Sequence, residues 1–125
     1  MTDMSLRARL RSFAHASAGL ARLLREEPNA RIHLAVSLVV VSMGLLFSLA
    51  GWEWVALILA IAIVWIAEAL NTALERLCDA VTREHDARIG AAKDLAAGAV
   101  LLASAAAALV GGLVLGPHLW RLFVA

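Results

Sequence analysis

The stretch Trp65-Ile-Ala-Glu68-Ala-Leu-Asn71-Thr72-Ala-Leu-Glu75-Arg-Leu-Cys-Asp79 decides how this chain is read. Its polar residues Glu68, Asn71, Thr72, Glu75 and Asp79 follow the spacing i, i+3, i+4, i+7, i+11. That spacing predicts one helix with all five side chains on one side. The segment before them, Val55 to Ala67, carries no charge. Carboxylates that continue a membrane-spanning run are costly in lipid, so they face protein or water and mark a working site.

Working outward, the 125 residues are 62% hydrophobic, and the mean hydropathy is +0.84. An ordinary soluble domain of this size is less apolar. Three apolar runs stand out: Ile32 to Ala50, Trp54 to about Leu74, and Leu95 to Leu115. Each is close to the roughly 20 residues that cross a hydrocarbon core of about 30 Å. Spanning backbone must satisfy its own hydrogen bonds, so the runs are expected to be helices. No secretory leader is expected, because the first long apolar run begins near Ile32. The single cysteine, Cys78, has no partner for an intrachain disulfide.

Charge gives an orientation. Arg7, Arg9, Arg11, Arg22, Arg25 and Arg31 precede the first run, and Arg83, Arg88 and Lys93 lie between the second and third. The turn at Gly51-Trp52-Glu53 has no basic residue. The positive-inside rule predicts a cytoplasmic N-terminus and a cytoplasmic 80–94 connection, with the Gly51 turn and the C-terminus outside. Trp52, Trp54 and Trp120 then fall at the outer interface, where indoles are favoured.

The expected architecture is all-α, in one membrane domain over residues 1–125. Residues 5–25 read as an amphipathic surface helix, with Leu6, Leu10, Phe13, Ser17, Leu20 and Leu24 on one side. Pro28 and Asn29 break it. Membrane helices are expected over 30–50, 53–82 and 91–121, the second with a cytoplasmic extension. Ala99, Ala103, Ala107 and Gly111 recur every four residues on the last helix, a pattern for close helix packing in lipid.

Depth turns the stripe into a site. Fourteen residues, about 21 Å of helix, separate Trp54 from Glu68, so Glu68 falls inside the hydrocarbon slab near its cytoplasmic side. Glu75 reaches the inner interface and Asp79 lies beyond it. Lys93 and Asp94 open the last helix at a similar level, and Glu26 and Glu27 precede the first membrane helix there. Carboxylates such as Glu27 and Glu75 suit Mg²⁺, which takes one or two carboxylates plus phosphate oxygens. Lys93 suits phosphate charge. Glu68, deeper and drier, suits a general base acting on a hydroxyl. The plainer alternatives are solvated acids at a helix end, with Arg76 paired locally to Glu75 or Asp79, and a helix-start pair at Lys93-Asp94. No G-x-x-x-x-G-K-[ST] loop or strand–glycine–helix unit is present, so side chains and helix ends must hold any nucleotide.

These residues resemble the small prokaryotic diacylglycerol kinase and undecaprenol kinase family. Glu68-Ala-Leu-Asn-Thr-Ala-Leu-Glu75-x-x-x-Asp79 and Ala92-Lys-Asp-Leu-Ala-Ala-Gly-Ala-Val100 look like its paired signatures, and the likeness covers roughly residues 9–121. The resemblance implies a homotrimer with active sites shared between protomers, and ATP- and Mg²⁺-dependent phosphorylation of a lipid alcohol. It puts Glu68 on the catalytic base and Glu27 and Glu75 on the metal and nucleotide carboxylates. Lys93 and Asp94 fall on the nucleotide-contacting pair, and Glu84, His85 and Asp86 in the nucleotide loop. Arg9 (or Arg7) and His15 align loosely with nucleotide contacts on the surface helix. Asn71, Arg31 and His33 join Glu68 on the lipid side. The segment Glu27-Pro-Asn-Ala-Arg-Ile-His33 looks like the undecaprenol kinase form rather than the diacylglycerol kinase form, which carries Gln-Glu in place of Ile32 and His33. His33 is either a lipid contact or a satisfied interfacial histidine. Two other classes compete: a proton-coupled transporter built on Glu68, which leaves Glu27 and Lys93-Asp94 unexplained, and a non-catalytic membrane subunit, which leaves the whole stripe unexplained. A bacterial inner-membrane location follows from the resemblance, and no nucleic-acid partner is expected.

Overall fold

A computed structural model describes residues 6–82, 84 and 86–124. They form four helices: α1 (Leu6–Glu26), α2 (Pro28–Leu46), α3 (Gly51–Val81) and α4 (Ala87–Val124). The last three are long and apolar enough to cross a membrane. Large apolar side chains such as Leu38, Val39, Ile58, Leu59, Leu101 and Leu109 point outward from them. A soluble fold would bury that surface, and lipid leaves it in place. The protein is an all-helical integral membrane protein.

Local chemistry sets the boundaries, which differ from the sequence expectation at every helix. The α1–α2 joint is a single residue. Glu27 is extended (φ −103°, ψ 116°) because the following proline disfavours helical geometry before it. Its N–H still donates to the Leu23 carbonyl at 2.9 Å, closing α1. Pro28 starts α2 two residues earlier than expected, since the first turn needs no proline N–H. The end of α2 comes at Leu46 rather than near 50, because Ser48 takes a left-handed conformation (φ 52°) and Leu49 N–H returns to the Gly44 carbonyl at 3.3 Å. Glu53 accepts the Ala50 N–H at 2.8 Å, so α3 begins at Gly51. Asp86 accepts the Arg88 N–H at 2.8 Å, and α4 begins at Ala87, inside the segment expected to be a loop. The hydrogen bond from Arg88 holds the Asp86 carboxyl below the usual carboxylate range.

The most extensive packing is between α3 and α4. Small residues on both, among them Ala60 and Ala103, are buried there. At the end away from the polar stripe, Leu49, Leu57, Val114 and Leu115 form a buried cluster under Phe47 and Trp54. Gly44 makes room for Trp54: a Cβ on it would lie 2.7 Å from the indole. Trp54 therefore packs into the protein, whereas Trp52 and Trp120 are exposed. His118 meets Glu53 at 2.8 Å and stacks on Phe47, tying the end of α4 to the α2–α3 turn.

The helices α3 and α4, at 31 and 38 residues, run to about 46 and 57 Å, well beyond a hydrocarbon core of about 30 Å. Because α2 and α3 meet at a short turn, the surplus of α3 projects at its Glu75–Val81 end. There it meets the α1–α2 joint and the start of α4. In α1, Leu6, Leu10, Phe13 and Leu20 remain exposed, whereas Leu23, near its end, is buried.

Candidate active site at the polar end of the bundle

The stripe read from sequence exists, and its burial is graded. Glu68 is 2% exposed and Thr72 is also buried. Asn71 and Glu75 are half-buried and Asp79 is exposed. The helix thus runs from a dry carboxylate at Glu68 to a wet one at Asp79 over three turns.

At the dry end, α2 brings His33 to Glu68. His33 Nε2 lies 3.9 Å from Glu68 Oε2, and the His33 side chain is 19% exposed. Glu68 Oε2 is buried and has no hydrogen-bond partner among the described residues. Asn71 Oδ1 is in the same condition, while its amide nitrogen donates to Glu75 Oε1 at 3.1 Å. Buried polar atoms are normally hydrogen-bonded to protein or ordered water, so two open acceptors on one face leave room for a donor there. A groove of about 460 Å³ starts at Ile32 and His33 and runs between α2, α3 and α4 to Leu115. Its walls are apolar apart from His33, Ser37 and Ser104.

At the middle level, Glu27 sits at the α1–α2 joint, where Arg76 Nη2 meets its Oε1 at 3.2 Å and Glu26 Oε2 at 2.8 Å. Arg76 follows Glu75 on α3, so its bridge brings Glu27 to the level of Glu75. Among the described residues no three His, Cys, Asp or Glu side chains form a metal cage. Mg²⁺ does not need one: it keeps waters and phosphate oxygens and takes one or two carboxylates. The carboxylates expected for it stand at this level, Glu27 with Oε1 on Arg76 and Glu75 with Oε1 on the Asn71 amide.

At the wet end, a cavity of about 300 Å³ is lined by Asp79, Thr82, Glu84, Asp86, Ile89, Gly90 and Lys93. Lys93 Nζ donates to Asp79 Oδ1 at 3.0 Å across the α3–α4 mouth. Glu84 N–H donates to Thr82 Oγ1 at 3.0 Å. Asp94 is exposed on the first turns of α4.

The remaining expected residues distribute unevenly. His85 lies outside the described residues. Arg9 and His15 are exposed on α1, and no described hydrogen bond or ion pair links them to the Glu68 cluster. Arg31 turns away from the groove: its guanidinium donates to the Leu24 carbonyl at 3.1 Å and to the Arg25 carbonyl, capping the end of α1. Arg76 does not pair along its own helix with Glu75 or Asp79. It reaches Glu26 and Glu27, because the α1–α2 joint folds back against α3. Sequence reading also passed over Trp65 and Ser37, whose side chains meet at 3.2 Å one turn below His33 and Glu68.

A family model described as prokaryotic diacylglycerol kinase matches residues 14–115. The chain is 37% identical over 109 residues to the undecaprenol kinase of Bacillus subtilis (strain 168), covering 87% of this chain and 89% of that one. It is 40% identical over 114 residues to a diacylglycerol kinase of Synechocystis sp., covering 90% of this chain. There it spans 65% of the relative's length. The matched span takes in Glu27, Glu68, Asn71, Glu75, Lys93 and Asp94 and leaves Arg9 outside. With most of its length matched, the chain belongs to the prokaryotic diacylglycerol kinase family and is a lipid kinase of that type.

Proposed function

We propose that this enzyme moves the γ-phosphoryl group of ATP to the hydroxyl of a membrane lipid alcohol, undecaprenol or diacylglycerol, at the cytoplasmic face. The observation that carries the reading is Glu68: a buried carboxylate whose Oε2 has no hydrogen-bond partner among the described residues and lies 3.9 Å from His33, which lines the head of an apolar groove. The lipid chain lies along the groove and its hydroxyl reaches Glu68 Oε2. As the lipid oxygen bonds to the γ-phosphorus, its proton passes to Glu68, and the bond from that phosphorus to the bridging oxygen breaks. ADP departs from the mouth. Asn71 Oδ1 accepts a hydrogen bond from the same substrate region.

Glu27 and Glu75 hold Mg²⁺, which when bound neutralises phosphate charge. Lys93 adds positive charge at the mouth, with Glu84, Asp86 and Asp94 around the nucleotide. Depth sorts the chemistry: the alcohol arrives through lipid, the nucleotide through water, and the carboxylate stripe joins them. Ile32 and His33 at the groove head favour a polyprenol over diacylglycerol. Three protomers assemble, which covers the apolar surface of α1 and completes the nucleotide contacts. The N-terminus is cytoplasmic, in keeping with the arginine bias.

The test is phosphate transfer from labelled ATP to undecaprenol and diacylglycerol, side by side in one detergent. Labelled lipid phosphate with either alcohol, dependent on Mg²⁺, is expected, with undecaprenol preferred. ATP consumption without a labelled lipid, or no turnover with either alcohol, would sink the reading.

A further inference from the structure

Among the described residues, one side-chain hydrogen bond joins α2 to α3 besides the His33–Glu68 approach. Trp65 Nε1 donates to Ser37 Oγ at 3.2 Å. Ser37 Oγ in turn donates to the His33 carbonyl at 2.7 Å, one turn up the same helix. The four residues form two rungs: Trp65 with Ser37, and Glu68 with His33. Trp65 and Glu68 are three apart on α3, and Ser37 and His33 are four apart on α2, so both rungs share one face of each helix.

The upper rung cannot hold itself. At 3.9 Å, His33 and Glu68 are too far apart for a hydrogen bond. The ends of α2 are held by the Arg76 bridge at Glu27 and by Trp54 packed on Gly44, and between them the Trp65–Ser37 bond is the one side-chain hydrogen bond to α3 among the described residues. Helix α2 buries only Ala30 and Gly44, Val40 and Met43 pack partly on the core, and most of its other large apolar side chains face outward. Sliding or rotating a helix in lipid exposes no apolar surface to water, so van der Waals packing and interhelical hydrogen bonds are what resist it. One residue of slip turns α2 by about 100° and advances it about 1.5 Å, which carries the imidazole off the carboxylate. The indole N–H does resist, because at this depth it has no water to turn to.

We propose that Trp65 and Ser37 are positioning residues for the phosphoryl transfer: their hydrogen bond sets the register of α2 so that His33 stands against Glu68 at the head of the groove. The proposal rests on Glu68 being the base. Trp65 does not line the groove and neither residue lines the cavity at the wet end, so their removal acts on kcat and leaves the KM for Mg-ATP in place; Ser37 also forms part of the groove wall, so Trp65→Phe is the variant that reads positioning alone.

The test uses the full chain in one detergent, with assembly checked by size exclusion. Trp65→Phe and Ser37→Ala should each lower kcat about tenfold or more, the scale of a small misplacement at a reacting centre. The KM for Mg-ATP should stay within about twofold. Ser37→Thr keeps the hydroxyl and should recover most of the loss. In a His33→Gln background, adding Trp65→Phe should cost less than about twofold more, because both changes break the same unit. The Trp65 indole ¹H–¹⁵N resonance should shift in Ser37→Ala and stay in Ser37→Thr. Overturning results are kcat within about twofold of wild type in Trp65→Phe, or an undiminished Trp65→Phe loss on top of His33→Gln. If Ser37→Ala does not assemble, the Trp65–His33 cycle decides alone. Failure of the base assignment looks different: Glu68→Gln keeps turnover while the cycle still reads coupling between Trp65 and His33.

Discussion

Arg76 on α3 reaches across to Glu26 at the end of α1, Nη2 to Oε2 at 2.8 Å, and holds Glu27 with the same nitrogen at 3.2 Å. The groups are partly exposed, so the bridge contributes at most about 1 kcal/mol to stability. Its consequence is geometric. The one-residue joint between α1 and α2 is pinned to the helix that carries Glu68 and Glu75. A carboxylate far away in sequence is thereby delivered to the rim of the site.

That placement predicts the metal dependence. Glu27→Gln and Glu75→Gln should each raise the Mg²⁺ concentration for half-maximal turnover by at least about tenfold, the scale of one lost charged contact. Turnover at saturating Mg²⁺ should also fall, because less charge surrounds the phosphates. A Mg²⁺ titration of activity reads both effects. An unchanged midpoint in both variants removes these residues from the metal site.

The stripe was legible in the sequence because polar residues are rare in such a run, and their spacing fixes a face. What the sequence hid were partners and ends. Arg76 reads as a local pair by proximity in sequence, yet the Pro28 joint brings Glu26 and Glu27 nearer. Helix α4 starts before the expected position because Asp86, read as a nucleotide contact, spends its carboxylate on the first turn. Trp54 reads as an interfacial indole, but the missing side chain of Gly44 lets it pack inward, and no periodicity marks that. Trp65 and Ser37 look like an apolar residue and a small polar one. Only the fold shows that they meet.

Lys93 and Asp79 meet at 3.0 Å on the wall of the cavity at the wet end of the stripe, where the nucleotide is proposed to bind. A lysine on a flexible stem is a poor phosphate ligand until something orders it, and Asp79 does so from α3. Lys93→Met should raise the KM for ATP by about tenfold or more through loss of a charged phosphate contact. Asp79→Asn should raise it less, about two- to fivefold, because the charge remains and only its placement loosens. Initial rates against ATP at fixed free Mg²⁺ decide it. A larger effect from Asp79→Asn would give Asp79 a direct role that the pair does not explain.

The far end of the bundle makes a contrasting prediction. Glu53 accepts the Ala50 N–H and meets His118, so it both caps α3 and ties α4 to it. Glutamine keeps the cap and loses the charge, whereas alanine loses both. The thermal midpoint should therefore fall in the order wild type, Glu53→Gln, Glu53→Ala, while kcat of the folded fraction stays at wild type. Equal midpoints for the two variants would mean that the cap contributes nothing.

Glu68 carries the heaviest claim. It is the deepest carboxylate of the stripe, with an open oxygen 3.9 Å from His33 at the head of the groove. Glu68→Gln keeps shape and most hydrogen bonding but cannot take the hydroxyl proton. General-base catalysis contributes about 10²–10⁴-fold, so turnover should fall by at least about a hundredfold with assembly retained. The variant should be at least as stable as wild type, because the cost of burying a carboxylate disappears. Steady-state turnover on matched, assembled protein in one detergent is the measurement. If Glu68→Gln keeps more than about half of wild-type turnover, Glu68 is not the base. A proton-coupled carrier would not be rescued by that result, since it also needs a titrating group at this position. The kinase would then have to draw its base from His33, the other titratable side chain at the head of the groove, and His33→Gln would become the deciding variant.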